Sequence, residues 1–223
     1  MFAFICLTNL FVKGKINTNK KEGAEMNKTE SIIDFMKKNN GLIKAKQAHE
    51  AGFDNKTLQR LSNSGQIERI SHGIYLSPDY MEDEYALMQY RCSKGIFSHD
   101  TALYFHGLSD RVPLRLTMTI PSGFNTRLLK NKSKYKFFYV KKELQKLGKI
   151  AIETPFGHRV SVYDKERTLC DCIKKKEQLD KDIVFTAIKL YMKDENTDYL
   201  KLLKYASIFK VREQVRQYME VLL

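Results

Sequence analysis

Apolar positions along the first third of the chain keep helical spacing through three separate runs and then change to a period of two, and each break marks an element. Ile32, Phe35 and Met36 follow helical spacing up to Asn39-Asn40-Gly41, with Thr29 or Ser31 available as a cap. Ala45 and Ala48 then sit three apart on a second helix that Gly52 can end, since glycine accepts the left-handed backbone of such a stop. A third helix starts near Asp54 or Asn55 and turns Leu58 and Leu61 to one side. Beyond Gly65 the period falls to two: Gln66–Ile70 alternates, Ser71-His72-Gly73 supplies a turn, and Ile74-Tyr75-Leu76 is a second β-rich run. Helix, tight turn, helix and hairpin in this order are the layout of a winged helix-turn-helix. Its expected core is Ile32, Phe35, Leu42, Ala45, Ala48, Leu58, Leu61, Ile67, Ile70 and Tyr75.

Ser77-Pro78-Asp79 interrupts the pattern and sets an expected domain boundary. Helical spacing returns over 83–93, and a short helix runs from Thr101 to His106 with Ser98 as its cap and Gly107 as its stop. Strands are expected at Leu114–Ile120, Lys134–Val140, Ile150–Glu153 and Arg159–Tyr163. Asp164 then caps a helix over Lys165–Lys176, and helices over Asp180–Lys193, Thr197–Phe209 and Val211–Leu222 complete the chain. The fold class is therefore α+β: an N-terminal winged helix-turn-helix, residues 26–78, followed by a larger mixed α/β domain, 79–223, that ends in helices.

If Leu58 and Leu61 point inward, Lys56, Gln59, Arg60 and Asn63 point outward at 100° per residue. Those residue types donate to phosphates and read base edges, Arg and Lys at guanine, Gln and Asn at adenine. Arg69, Ser71 and His72 are expected on or near the hairpin tip. A formal net charge of +13 and a pI near 9.5 favour a polyanionic partner, most simply nucleic acid. A small helical adaptor for another protein is the plainer reading of the same stretch.

The 223 residues suffice for one or two domains of about 100–200 residues each. Cys6, Cys92, Cys170 and Cys172 form no CxxC pair, so reduced, mostly buried thiols in a cytoplasmic protein are expected rather than a zinc site. The apolar run from Met1 to Val12 is shorter than the roughly 20 residues a membrane span needs, and its first lysine comes only after it. Residues 1–25 are polar after that run and Lys21-Glu22-Gly23 is what a purine-rich ribosome-binding site would encode in this frame. They are expected to be a non-native or disordered extension, with Met26 the natural first residue.

His99, Asp100, His106 and His158 invite a catalytic or metal reading, yet His99 and His106 are seven apart rather than the four of a zinc helix. No GxSxG, P-loop, GxGxxG or HExxH occurs, the nucleotidyltransferase pattern of Gly-Ser with paired acids is absent, and the strand candidates are poor in carboxylates. The expectation is a protein with no catalytic residue, no cofactor and no metal.

Taken together, GLIKAKQAHEAGF and GIYL in the winged module, FSHDTALYFHGLSD, LTMTIPSG and VYDKERTLCDCI make residues 29–222 resemble the AbiEi-type antitoxin and transcriptional-regulator family of type IV toxin-antitoxin systems, which act in abortive phage defence. The resemblance implies that the winged module binds inverted repeats in its own promoter. It also implies that the C-terminal domain contributes to repression and neutralises a cognate nucleotidyltransferase-like toxin. Lys56, Gln59, Arg60, Arg69 and His72 take the DNA role under this resemblance. The alternative is a general winged-helix regulator whose C-terminal domain senses a ligand.

Overall fold

In the computed structural model the described residues are 29–125, 129, 131 and 133–222, and they form a mixed α+β structure in two compact units divided between Asp83 and Glu84. The expected 1–25 extension lies outside the described residues.

In the first unit, helix α1 is described over 29–38 and buries Ile32 and Met36 one turn apart. Thr29 and Ser31 both lie within it, so neither stands at its cap. Asn39 Nδ2 donates to the Phe35 carbonyl at 2.8 Å, and the Gly41 amide donates to the Met36 carbonyl at 2.8 Å to close the helix end. Gly41 has φ +80°, and a Cβ there would fall 2.2 Å from the Tyr80 ring, so only glycine fits. Then come β1 (Leu42–Lys44), α2 (Ala45–Glu50), α3 (Asn55–Asn63), β2 (Glu68–Ser71) and β3 (Ile74–Leu76).

The three strands form one antiparallel sheet in the order β1-β3-β2, with Leu42 opposite Leu76 and Lys44 opposite Ile74. Strand β1 is an addition to the sequence reading. Three residues are too few to display alternation, and this strand exists because β3 offers it an edge. Ile32, Met36, Ile43, Ala48, Leu58, Leu61, Ile67 and Tyr75 make the core, each contributing about 1.5–3 kcal/mol if large and fully buried. Ile43 is a core residue the sequence pattern did not single out, whereas Ile70 is only half-buried.

The second unit is built on a five-stranded mixed sheet in the order β6-β5-β4-β8-β7: β4 (Ile96–Phe97), β5 (Leu116–Pro121), β6 (Tyr135–Val140), β7 (Lys149–Glu153) and β8 (Arg159–Tyr163). Strand β5 is shorter at its start than expected, because Leu114 is 98% exposed and Leu116 is the first buried position. Helices α4 (Glu84–Arg91) and α5 (His99–Phe105) accompany the sheet, and α6 (Lys142–Gln145) is a single turn. Gln89 on α4 accepts from the Ser161 amide at 2.8 Å, and Thr101 on α5 accepts from the Thr117 amide at 2.8 Å, which ties both helices to strand backbones.

A helical layer follows: α7 (Lys165–Lys174), α8 (Lys181–Lys193), α9 (Tyr199–Phe209) and α10 (Arg212–Leu222). Asp164 caps α7 as its sequence position suggests, accepting from the Arg167 amide; Asp180, expected as the first residue of its helix, caps α8 instead, accepting from the Asp182 and Ile183 amides. Helix α7 is buried on every side from Glu166 to Ile173, and it packs with Val184, Ile188, Leu202, Phe209 and Val215. Cys92, Cys170 and Cys172 are free, buried thiols whose pKa burial raises.

Candidate nucleic-acid interface

Helix α2 ends where Gly52 takes φ +90°, its amide donating to His49 and that of Phe53 to Ala48, both at 2.9 Å. Asp54 then caps α3 by accepting from the Thr57 amide at 2.7 Å. This phase commits Leu58 and Leu61, both fully buried, to the core. Lys56, Gln59, Arg60 and Asn63 are consequently all exposed, and with Ser64 they line one shallow surface depression. No acidic residue lies in the first turn of α3. Arg60 is partly oriented: its Nη2 donates to Thr29 Oγ1 on α1 at 3.1 Å.

On the hairpin, Ser71 pairs with Ile74 across the turn that His72 and Gly73 form. Arg69 and His72 are exposed and meet each other, Nη2 lying 3.2 Å from Nδ1, while Ser71 is half-buried. The structure thus gathers four of the seven expected residues on α3 and two more as a pair on the hairpin. Ser71 lies beside that pair.

Charge is distributed differently from what the whole-chain total suggests. Residues 29–83 carry seven Lys and Arg against eight Asp and Glu, whereas residues 84–223 carry 27 against 16. Most of the net positive charge therefore belongs to the second unit, and α3 presents a local polar and basic face on a nearly neutral module.

The sequence segments Ser98–Gly107 and Asp164–Asp171 prove to be polar networks inside the second unit. Ser98 occupies the cap position of α5, but its hydroxyl accepts from Thr119 Oγ1 at 2.9 Å and lies 2.9 Å from His99 Nδ1 instead of capping the helix. His106 Nε2 donates to the Tyr163 carbonyl at 2.6 Å. Arg167, 1% exposed, donates from Nε to Asp171 Oδ2 at 2.9 Å and from Nη1 to the Leu144 and Leu147 carbonyls, its guanidinium lying 4.1 Å from the Tyr163 ring centre and 4.0 Å from that of Phe209.

Glu166 is not part of that pair. It joins Asp164 around Lys201, at 2.8 and 3.0 Å, and accepts from the Tyr191 hydroxyl at 3.0 Å. Burial works against the Lys201 charge, but the hydrogen bonds to Glu166 and Asp164 outweigh it and raise its pKa. Asp171 is pushed up to about 6 by burial, against the pull of Arg167. Among the described residues no three His, Cys, Asp or Glu side chains come together as a metal site, and no helix is long and apolar enough to cross a membrane.

Residues 30–78 match the family model described as "Transcriptional regulator, AbiEi antitoxin". No curated protein matches the chain significantly. Among solved structures, the crystal structure of the RV2827C protein from Mycobacterium tuberculosis aligns with a TM-score of 0.55 over 79% of this chain and 70% of that one, at 11% sequence identity. At that identity the likeness is one of fold.

Proposed function

We propose that this chain is an antitoxin and autoregulatory repressor of a type IV toxin-antitoxin system. In this reading residues 26–78 are a winged helix-turn-helix: α2 and α3 are the helix-turn-helix, α3 enters the major groove, and the β2–β3 hairpin is the wing. Lys56, Gln59, Arg60 and Asn63 contact base edges and phosphates of inverted repeats in promoter DNA, and Arg69, Ser71 and His72 contact the flanking backbone. Residues 79–223 form the domain that neutralises a nucleotidyltransferase-like toxin, acting without catalysis or cofactor.

The observation that carries the proposal is the match of residues 30–78 to a transcriptional-regulator and antitoxin family, over the same residues whose α3 exposes an unbroken polar face. The two activities separate in one experiment. Full-length protein carrying K56A and R60A is expected to lose repression of a reporter driven by its own promoter while still rescuing cells from the toxin encoded beside it. Retained repression removes α3 from the DNA role; failed rescue by the folded wild type removes the antitoxin role. A regulator whose second unit senses a small molecule is the second reading, favoured by a basic cleft in that unit.

A further inference from the structure

The end of β6, the start of α6, and the C-terminal ends of α7 and α9 surround a cleft of about 490 Å³ in the second unit. Five cationic side chains line it, Lys141, Arg167, Lys174, Lys175 and Lys210, against the one carboxylate of Asp171. We propose that this cleft binds a small phosphorylated anion, of the di- or triphosphate class, with the lysines neutralising its charge and His99 donating to it from below.

Lysines at the ends of α7 and α9 have an ordinary explanation, since a cation there offsets the negative end of a helix dipole. That explanation does not reach Lys141, which stands before the single turn of α6 and not at the C-terminal end of a helix. Nor does it account for convergence: residues from Lys141 to Lys210 meet in one concave site, whose apolar walls are Phe138, Leu144 and Phe209.

His99 gives the independent observation. It belongs to the lining of the cleft, is 2% exposed, and lies flat on Phe138 with ring centres 3.7 Å apart. Its backbone takes φ +48°, a left-handed conformation uncommon for a side-chain-bearing residue. Burial, aided by Lys136, Arg167 and Lys175, lowers its pKa to about 3, so the ring is neutral. Ser98 Oγ accepts the Thr119 hydroxyl proton and lies 2.9 Å from His99 Nδ1. His99 Nε2 is buried and has no hydrogen-bond partner among the described residues; with the Ser98 proton directed to Nδ1, the one ring N–H stands on Nε2 and serves as the donor of the proposed site. A buried donor left unpaired costs about 1–3 kcal/mol, which an anionic acceptor in the cleft would recover. A neutral donor beneath a ring of lysines suits a phosphoryl oxygen and rejects a cation.

The test is a titration of full-length protein, followed by backbone amide resonances, with inorganic pyrophosphate, with ATP and with duplex DNA. Saturable shifts at cleft residues with pyrophosphate and ATP are expected. Shifts with ATP alone still support the site and assign part of the binding to the nucleoside. The variant K141E/K210E changes two exposed lysines and is expected to weaken binding at least tenfold without loss of fold; His99→Phe, which removes the donor while leaving every lysine, is expected to weaken it as well. The proposal is overturned if neither small anion perturbs the cleft at millimolar concentration, if only duplex DNA does, or if K141E/K210E binds as the wild type does. None of these outcomes bears on α3, so the DNA-binding reading stands or falls separately.

Discussion

Replacing Arg167 by Met removes a charge from the interior of the second unit while keeping an unbranched side chain between Tyr163 and Phe209. Three charge-assisted hydrogen bonds disappear, to Asp171 and to the Leu144 and Leu147 carbonyls, all of 2.9 Å. The lost pair leaves the Asp171 carboxylate, only 7% exposed, without its counter-ion. Breaking one side of a buried pair costs about 3–5 kcal/mol, more than the sandwich contacts alone would lose, so the stranded carboxylate decides the magnitude. Asp171 already titrates near 6 because burial raises it, and without Arg167 its folded pKa rises further. A carboxyl whose folded pKa lies above its unfolded value stabilises the fold at low pH and loses that contribution as pH rises through the folded value. The deficit of R167M in denaturant unfolding is therefore expected to be larger at about pH 8 than at about pH 5. The double variant R167M/D171L is expected to recover much of it. A deficit below about 1 kcal/mol at neutral pH, or one that shrinks as pH rises, refutes the reasoning.

Three further outcomes follow from the same geometry. Leu58→Ala, at a fully buried position of the first unit, is expected to cost about 2–5 kcal/mol in chemical unfolding of that unit; a cost under about 0.5 kcal/mol would mean the α3 face is assigned the wrong way round. His99, with its folded pKa depressed to about 3, confers stability that is complete above the ordinary histidine range and is lost as pH falls through that range towards 3. H99Q is expected to flatten this acid loss, by up to about 1.4 kcal/mol per pH unit, in unfolding curves between those limits. K56A/R60A is expected to leave thermal unfolding unchanged and to lower the salt slope of operator binding by about one unit for each phosphate contact removed; an unaltered slope together with unaltered affinity excludes both side chains from the interface.

Legibility in the sequence followed locality. The facing of α3 was readable because Asp54, Leu58 and Leu61 fix its phase within eight residues, and the cap Asp164 was readable because it lies beside the helix it starts. Strand β1 was hidden, since three residues carry no period and its partner β3 lies about thirty positions later. Ser98 looked like a cap and instead serves Thr119 and His99, a use that depends on β5 arriving next to α5. Arg167 pairs with Asp171 one turn along α7, a contact local to the helix, whereas Glu166 is held by Lys201, which only α9 brings to it. The cleft was unreadable because its lysines are scattered from 141 to 210 and converge only where the folded chain brings the end of β6 and the ends of α7 and α9 together. Net charge was legible as a total and misleading as a location, since it falls outside the module whose α3 face carries the expected DNA contacts.

The charge distribution also determines which binding measurement matters. A second unit this basic is expected to bind any duplex electrostatically, so bare affinity does not test α3. The direct test is the ratio of affinities of the full-length protein for the DNA upstream of its own reading frame and for a scrambled duplex of equal length, at fixed near-physiological salt. The wild type is expected to prefer its own upstream DNA by at least about a thousandfold, and K56A/R60A to collapse that ratio while retaining much of the nonspecific binding. A wild-type ratio near one, or a ratio that the double substitution leaves intact, contradicts the DNA-binding reading of α3.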